Sequence, residues 1–319
     1  MGAPTLETLT VNGIRMRVAM QGDGPLVLLC HGFPELWYAW RHQLDALAAA
    51  GFRAVAPDMR GYGGTDAPQA VEAYSRLHLV GDMVDLVRVL GERQAVIVGH
   101  DWGAMVAWAA ALVRPDLFRA VIGMSVPFAP PDPTDILKVL EDRGIRDYYM
   151  QYFQTPGLAE AELERDISAT FRRLLFCGSG DWQGLPAFGR LQPGEGFLGH
   201  MKEPDVLPAW LTEDDLDYYV QAFRRSGFRG GLNWYRTMRL SSELMAPWRG
   251  SIIRQPSLFM AGTRDSVLGF PVIPQLIAAF PHTLPGLRGC HLLNGAGHWV
   301  QQERAEEVSA LMLDFLRAL

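Results

Sequence analysis

Four short apolar runs, PLVLLC at 25–30, FRAVAP at 52–57, QAVIVG at 94–99 and RAVIGM at 119–124, follow one another through the first 124 residues of a 319-residue chain. Each is short for a helix and apolar at nearly every position, as strands buried on both faces require. The segments between them have another period: in 77–90, Leu79, Met83, Leu86, Val87 and Leu90 recur at helical spacing. Strands alternating with helices are joined by crossovers, so an α/β protein is predicted, with a mainly parallel central sheet flanked by helices. Ahead of the runs, LTVNGIRMRVAM alternates about Asn12-Gly13 and reads as a hairpin.

The rhythm stops at FAPPDPTD, where four prolines fall from Pro127 to Pro133. About 110 residues of helical stretches follow without a convincing strand, until PSLFMAG at 256–262; the chain closes on a helical pattern holding Val308, Leu311, Met312, Phe315 and Leu316. Two parts are expected: a core made of 1–128 and 251–319, and an inserted helical segment over 129–250. The acidic stretch AEAELERD at 159–166 predicts the solvated face of a helix.

Composition excludes several classes. With 49% hydrophobic and 20% charged residues the chain has material for one large core, and neither a disordered nor a fibrous protein is indicated. A formal net charge of −6 without a dense Lys/Arg run argues against nucleic acid and against an anionic membrane surface as partners. No run of about 18 apolar residues offers a membrane span. The N-terminal MGAPTLETLT lacks the pattern of a secretory signal and, with Leu6 in place of Ser or Thr, that of a myristoylation site. Cys30, Cys177 and Cys290 are odd in number and far apart, which suits reduced thiols in a cytoplasmic protein better than a disulfide framework or a zinc site.

Parallel sheets keep their chemistry at the carboxyl ends of the strands. There stand His31 in HGFPELWYAW, Asp101 in GHDWGA, Asp265 in GTRDSVLG and His298 in GAGHW. GHDWGA has the frame G-x-nucleophile-x-G, a sharp strand-to-helix turn that projects its middle side chain into a cleft, with Asp101 where serine is usual. Taken singly, Asp265 reads as a helix cap and His298 as a satisfied buried histidine. An exposed carboxylate on a strained turn between Gly99 and Gly103 has, by contrast, little structural use. The chain order nucleophile, acid, histidine is that of an α/β-hydrolase. His100 and Trp102, which flank Asp101, are expected to line or support the site, and His31 to brace its own loop.

Taken in order, HGFPELWYAW, DMRGYGGTDAP, GHDWGA, YYMQYFQTPGLAEAELE, SGFRGGLNWYR, GTRDSVLG and GHW resemble the segments of the epoxide hydrolases of the α/β-hydrolase fold, in particular the soluble epoxide hydrolase group, over nearly the whole chain. The segments of the insertion, a cap in that family, are the most specific, because the core motifs are shared with haloalkane dehalogenases. The resemblance is to the hydrolase unit alone, without the phosphatase-like domain that precedes it in some larger relatives. It implies addition of water to a small apolar epoxide, giving a vicinal diol, with no metal or organic cofactor; a homodimer is compatible with it.

In that reading Asp101 is the nucleophile, His298 the base and Asp265 the carboxylate that orients it. The family pattern makes the backbone N–H groups of Phe33 and Trp102 oxyanion donors, and Tyr149 and Tyr235 acids on the epoxide oxygen. Phe33, Trp102 and Phe153 would lie against the substrate. Tyr148 and Tyr152 stand close enough to Tyr149 to leave the first tyrosine open.

Two alternatives remain. A haloalkane dehalogenase shares the nucleophile and Trp102 but has Asn where this chain has Phe33 and needs no phenolic acid; a fluoroacetate-type dehalogenase usually has arginine where Trp102 stands. A non-catalytic ligand-binding member of the fold would commonly lack one of the three residues present. Asp265 and His298 are 33 positions apart, and HTLPGLRGCHLLNG between them is somewhat longer than the family's usual connection. The loop bearing His298 is therefore the part of the site least fixed by the resemblance.

Overall fold

A computed structural model describes residues 2–132 and 136–319; Pro133, the last of the proline run, lies outside them. One sheet of eight strands runs through the molecule: β1 (Thr5–Val11), β2 (Ile14–Gln21), β3 (Leu26–Cys30), β4 (Arg53–Pro57), β5 (Ala95–His100), β6 (Phe118–Met124), β7 (Ser257–Gly262) and β8 (Leu287–Leu293), in the order β1-β2-β4-β3-β5-β6-β7-β8. β1 and β2 form an antiparallel hairpin with Asn12 and Gly13 at φ 47° and 78°, the left-handed backbone that a two-residue turn of matching twist needs. β2 runs antiparallel to β4, and the pairs from β4 onward to β8 are parallel.

All five apolar runs become strands. β3, β5 and β7 are buried at every position, the reason their sequences show no alternation. β8 escapes sequence reading because LRGCHLL, the last strand of the sheet, alternates between partly covered and exposed residues, and Arg288, Gly289 and His291 interrupt any apolar run. It also explains the long connection between Asp265 and His298, which builds two short helices, Ile273–Ala278 and Phe280–Thr283, and then this strand.

Helices cover both faces. On one, Leu79, Met83 and Leu86 of the helix Arg76–Val89 and Val106, Ala107 and Ala110 of the helix Trp102–Val113 share a core with Leu28 and Ile97 of the sheet. On the other, Leu44 and Leu47 of the helix Arg41–Ala49 meet Val308, Met312, Phe315 and Leu316 of the helix Ala305–Arg317. Between β6 and β7 the described residues form no strand; the principal helices are Tyr149–Tyr152, Leu158–Leu163, Ile167–Cys177, Glu213–Ser226, Arg229–Arg236 and Met238–Leu244. No helix among the described residues is long and apolar enough to cross a membrane.

The acidic stretch 159–166 presents Ala161, Glu164, Arg165 and Asp166 to solvent, as its composition predicts, but its glutamates are also engaged. Glu160 pairs with Arg236, Glu162 accepts the Phe197 and Leu198 N–H groups and the Tyr152 hydroxyl, and Glu164 accepts the Phe228 N–H. These carboxylates anchor the loops around a short helix, a use set by what surrounds them and invisible in a charge count.

Between β5 and the helix Trp102–Val113 the chain turns within one residue. A Cβ on Gly103 would lie 2.0 Å from the Cys30 carbonyl oxygen of β3, so only glycine lets this helix start hard against the sheet. Gly103→Ala is expected to lower the unfolding free energy by about 1–3 kcal/mol through overpacking, which urea denaturation would register as an earlier midpoint.

Candidate active site

β5 ends at His100, and Asp101 takes φ 52° and ψ −121° before the helix begins at Trp102. A positive φ at a residue with a Cβ costs of order 1–3 kcal/mol and persists only where the surroundings impose it. Here it turns the side chain toward the HGFP turn after β3, where Asp101 Oδ1 accepts the Phe33 N–H at 2.8 Å; the Trp102 N–H is a second main-chain donor. Gly32 allows this approach, since a Cβ there would lie 2.3 Å from Asp101 Oδ1. The carboxylate is not exposed, as the bare motif suggests, but only 14% accessible. Burial pushes its pKa up, against the pull of His298, His100 and the Phe33 and Trp102 amides.

The turn after β7 supplies Asp265 and the loop after β8 supplies His298. His298 Nδ1 lies 3.1 Å from Asp265 Oδ1 and its Nε2 lies 3.7 Å from Asp101 Oδ2, so the imidazole bridges two carboxylates. Asp265 also caps its own turn by accepting the Val267 N–H at 2.9 Å, and the cap reading and the pairing with His298 coexist. Burial disfavours a charged imidazole, yet the charge and hydrogen bond of Asp265, joined by Asp101 and Glu35, outweigh it and lift His298 to about 9. Burial also opposes ionisation of Asp265, but His298, Ser125 and the Val267 amide hold its carboxyl below the usual range.

Phenols from the inserted helices face this group. Tyr149 and Tyr235 are buried with ring centroids 5.9 Å apart, and Tyr235 lies 4.9 Å from Trp102 and 5.5 Å from Phe33. Burial, helped by the nearby Asp101 charge, holds both hydroxyls well above their ordinary pKa, so both carry their protons at neutral pH. Phe153 completes an aromatic wall, 5.5 Å from Tyr149, 5.0 Å from Tyr235 and 5.7 Å from Phe33. The other tyrosines of YYMQY are engaged elsewhere: Tyr152 donates to Glu162 Oε2 at 2.9 Å, and the Tyr148 ring packs on Phe270. Tyr149 is the one whose ring meets Tyr235.

Some neighbours carry no sequence signal. Ser125, just beyond β6, donates from Oγ to Asp265 Oδ2 at 2.6 Å, lies 3.0 Å from His298 Nδ1 and is itself held at φ 67°; a lone serine at a strand end announces none of this. Beneath His298, His100 Nδ1 sits 2.8 Å from Glu35, whose carboxylate also accepts from Gln301 and Gln302, and His100 Nε2 faces the His298 carbonyl at 2.7 Å. His31 contacts the Gly32 carbonyl and accepts the Met59 N–H. Among the described residues no three His, Cys, Asp or Glu side chains converge as a metal site.

A mainly parallel sheet with a strained carboxylate after β5, an acid after β7 and a histidine after β8 defines an α/β-hydrolase, and the sequence profile of the alpha/beta hydrolase fold matches residues 25–305. Over its full length the chain is 44% identical to epoxide hydrolase A of Mycobacterium tuberculosis, spanning 99% of that protein, and it is 43% identical to epoxide hydrolase 2 of Siraitia grosvenorii over 97% of both. Its structure matches that of an epoxide hydrolase from an endophytic Streptomyces with a TM-score of 0.93 at 43% identity, covering 99% and 96% of the two chains. The chain belongs to the epoxide hydrolases. It is an enzyme of that class, which decides against both the dehalogenase and the non-catalytic alternatives.

The bridging position of His298 has a measurable consequence. Its imidazolium is expected to persist at neutral pH and to lose its proton near pH 9. In Asp101→Asn, where one of the charges favouring the imidazolium is gone, the titration should move to lower pH; ring-proton NMR of the two proteins reads both values.

Proposed function

We propose that this epoxide hydrolase works in two steps, through an ester on Asp101, on a small apolar epoxide. The observation that carries the reading is a carboxylate set between two main-chain donors and an imidazole, facing two protonated phenols. An epoxide is opened at a tetrahedral carbon. A serine nucleophile would leave an ether, with no carbonyl for water to attack, whereas an aspartate leaves an ester that hydrolysis removes.

In the first step an Asp101 oxygen bonds to a ring carbon and the C–O bond breaks. Its electron pair stays on the ring oxygen, which takes a proton from Tyr149 or Tyr235. An alkoxide is a far stronger base than a phenolate, so even a phenol of raised pKa gives up its proton to it. Esterification also removes the Asp101 charge, one of the contributions that keep His298 protonated. The imidazolium then releases a proton and the tyrosinate recovers one, leaving a neutral base beside a neutral ester.

In the second step His298 Nε2 takes a proton from water as the water oxygen bonds to the ester carbon, with Asp265 orienting the ring and stabilising the imidazolium. The oxyanion forms on the Asp101 carboxyl, with the Phe33 and Trp102 amides as donors; one such donor is typically worth about 2.7–4 kcal/mol. Collapse expels the diol oxygen with a proton and returns the carboxylate and the imidazolium. We assign 129–250 as the cap that carries both acids, over a core of 1–128 and 251–319. The unpaired thiols Cys30, Cys177 and Cys290 suit a reducing compartment such as the cytoplasm.

Two experiments test this reading. His298→Gln protein given a styrene-type epoxide should gain the mass of the whole epoxide on the peptide that holds Asp101; an adduct elsewhere, or none, overturns it. Tyr149→Phe and Tyr235→Phe should each slow ester formation by roughly 10- to 100-fold, one phenol remaining, and the double variant by roughly 100- to 10,000-fold, as followed by single-turnover kinetics.

A further inference from the structure

Nucleophile and base share the contact of His100 with the His298 carbonyl, but each also has holders of its own. Asp101 is fixed by the turn after β5 and by the Phe33 amide. The loop bearing His298 is fixed by Glu303, only 9% accessible, whose Oε2 accepts the Gly297 N–H at 2.8 Å and the Gly180 N–H at 2.9 Å and whose Oε1 accepts the Trp299 N–H at 3.0 Å. Two of these donors flank His298; the third belongs to the inserted segment.

That segment reaches the same loop by several other contacts. The His298 N–H donates to the Gly178 carbonyl at 2.7 Å and the Trp299 indole to the Leu175 carbonyl at 2.9 Å. The backbones touch: a Cβ on Gly180 would lie 1.9 Å from the Gly295 carbonyl oxygen, and one on Gly297 would lie 2.3 Å from the Ser179 carbonyl carbon. Two segments packed at that distance leave no free space between them, so a shift of one strains the other.

We propose that Glu303 is a positioning residue for the second half-reaction: it fixes the loop bearing His298 and joins it to the turn 178–180 of the cap, so that the cap sets where the base stands. The proposal rests on the reading of His298 as the base. It makes the second half-reaction the more sensitive of the two: Glu303 hydrogen-bonds to the loop of His298 and to the turn 178–180, and not to the turn that holds Asp101 or to the two tyrosines, so the first step feels it only through the His298 charge beside Asp101.

The test is rapid quenching with the ester measured by intact mass. Glu303→Gln sets an amide NH2 against main-chain donors that a carboxylate accepts. Ester hydrolysis should slow about tenfold or more, because a misplacement of about 1 Å can cost around 100-fold, while ester formation, which feels the loop only through the His298 charge beside Asp101, should slow several-fold less. Hydrolysis at the wild-type rate, or an equal slowing of both steps, overturns the proposal. Should Glu303→Gln not fold, Gly180→Ala, which forces the cap turn away from the loop, is expected to give the same imbalance, and a balanced or absent effect again overturns it. His298→Gln run alongside separates the two claims. If it hydrolyses the ester normally, the base assignment falls; if it traps the ester while Glu303→Gln does not slow hydrolysis, only the role of Glu303 falls.

Discussion

A carboxylate kept largely out of water by two peptide N–H groups and one imidazole is the interaction that the rest of this structure serves. Burial favours the neutral acid of Asp101, which is a poorer nucleophile than its carboxylate. At 3.7 Å the His298 Nε2 faces it as a counter-charge, and two unit charges about 4 Å apart interact by about 4 kcal/mol at an effective dielectric constant near 20, enough to offset much of the burial penalty. The imidazolium is in turn held by Asp265, so the site is a row of alternating charges, negative, positive, negative. Its excess charge is met by main-chain and hydroxyl donors: the Phe33 amide on Asp101, the Val267 amide and the Ser125 hydroxyl on Asp265.

The sheet assembles that row by its strand order. Parallel strands about 4.8 Å apart deliver their carboxyl ends to one edge, so residues that follow neighbouring strands meet without long loops. Phe33 follows β3 and Asp101 follows its neighbour β5; Ser125 follows β6, Asp265 the adjacent β7, and His298 the adjacent β8. The Phe33–Asp101, Ser125–Asp265 and Asp265–His298 pairs each follow a pair of adjacent strands. For that reason the 33 positions between Asp265 and His298 do not separate them: the pairing of β8 with β7 fixes where the histidine loop begins, whatever length of chain lies before it.

The inserted helices change the environment rather than the row itself. They bring phenols and aromatic rings over it, and the same burial that makes Tyr149 and Tyr235 reluctant to ionise preserves them as donors beside a carboxylate. They also hydrogen-bond to the histidine loop at Gly178 and to Glu303 at Gly180.

Local chemistry was enough to make five buried strands, the Asn12-Gly13 hairpin and the turn at Asp101 legible, because each is written in a short stretch by period or by a glycine frame. The order of Asp101, Asp265 and His298 pointed to the fold before any distance was known. What stayed hidden depended on neighbours far along the chain: β8, half covered and so without an apolar run; the loop N–H groups and side chains that Glu160, Glu162 and Glu164 bind; the contact of Tyr149, of the three tyrosines, with Tyr235; and the contacts of Ser125 and Glu303. Sequence by itself determined which groups were available and on which elements they stood, since backbone propensity and hydrophobic period act over a few residues. Only the tertiary structure decided which of them touch, because burial, which fixes charge and hydrogen bonding alike, is set by the packing of segments far apart in the chain, as the His100 contact with the His298 carbonyl, 198 positions away, and the Gln302 contact with Glu35, 267 positions away, make plain.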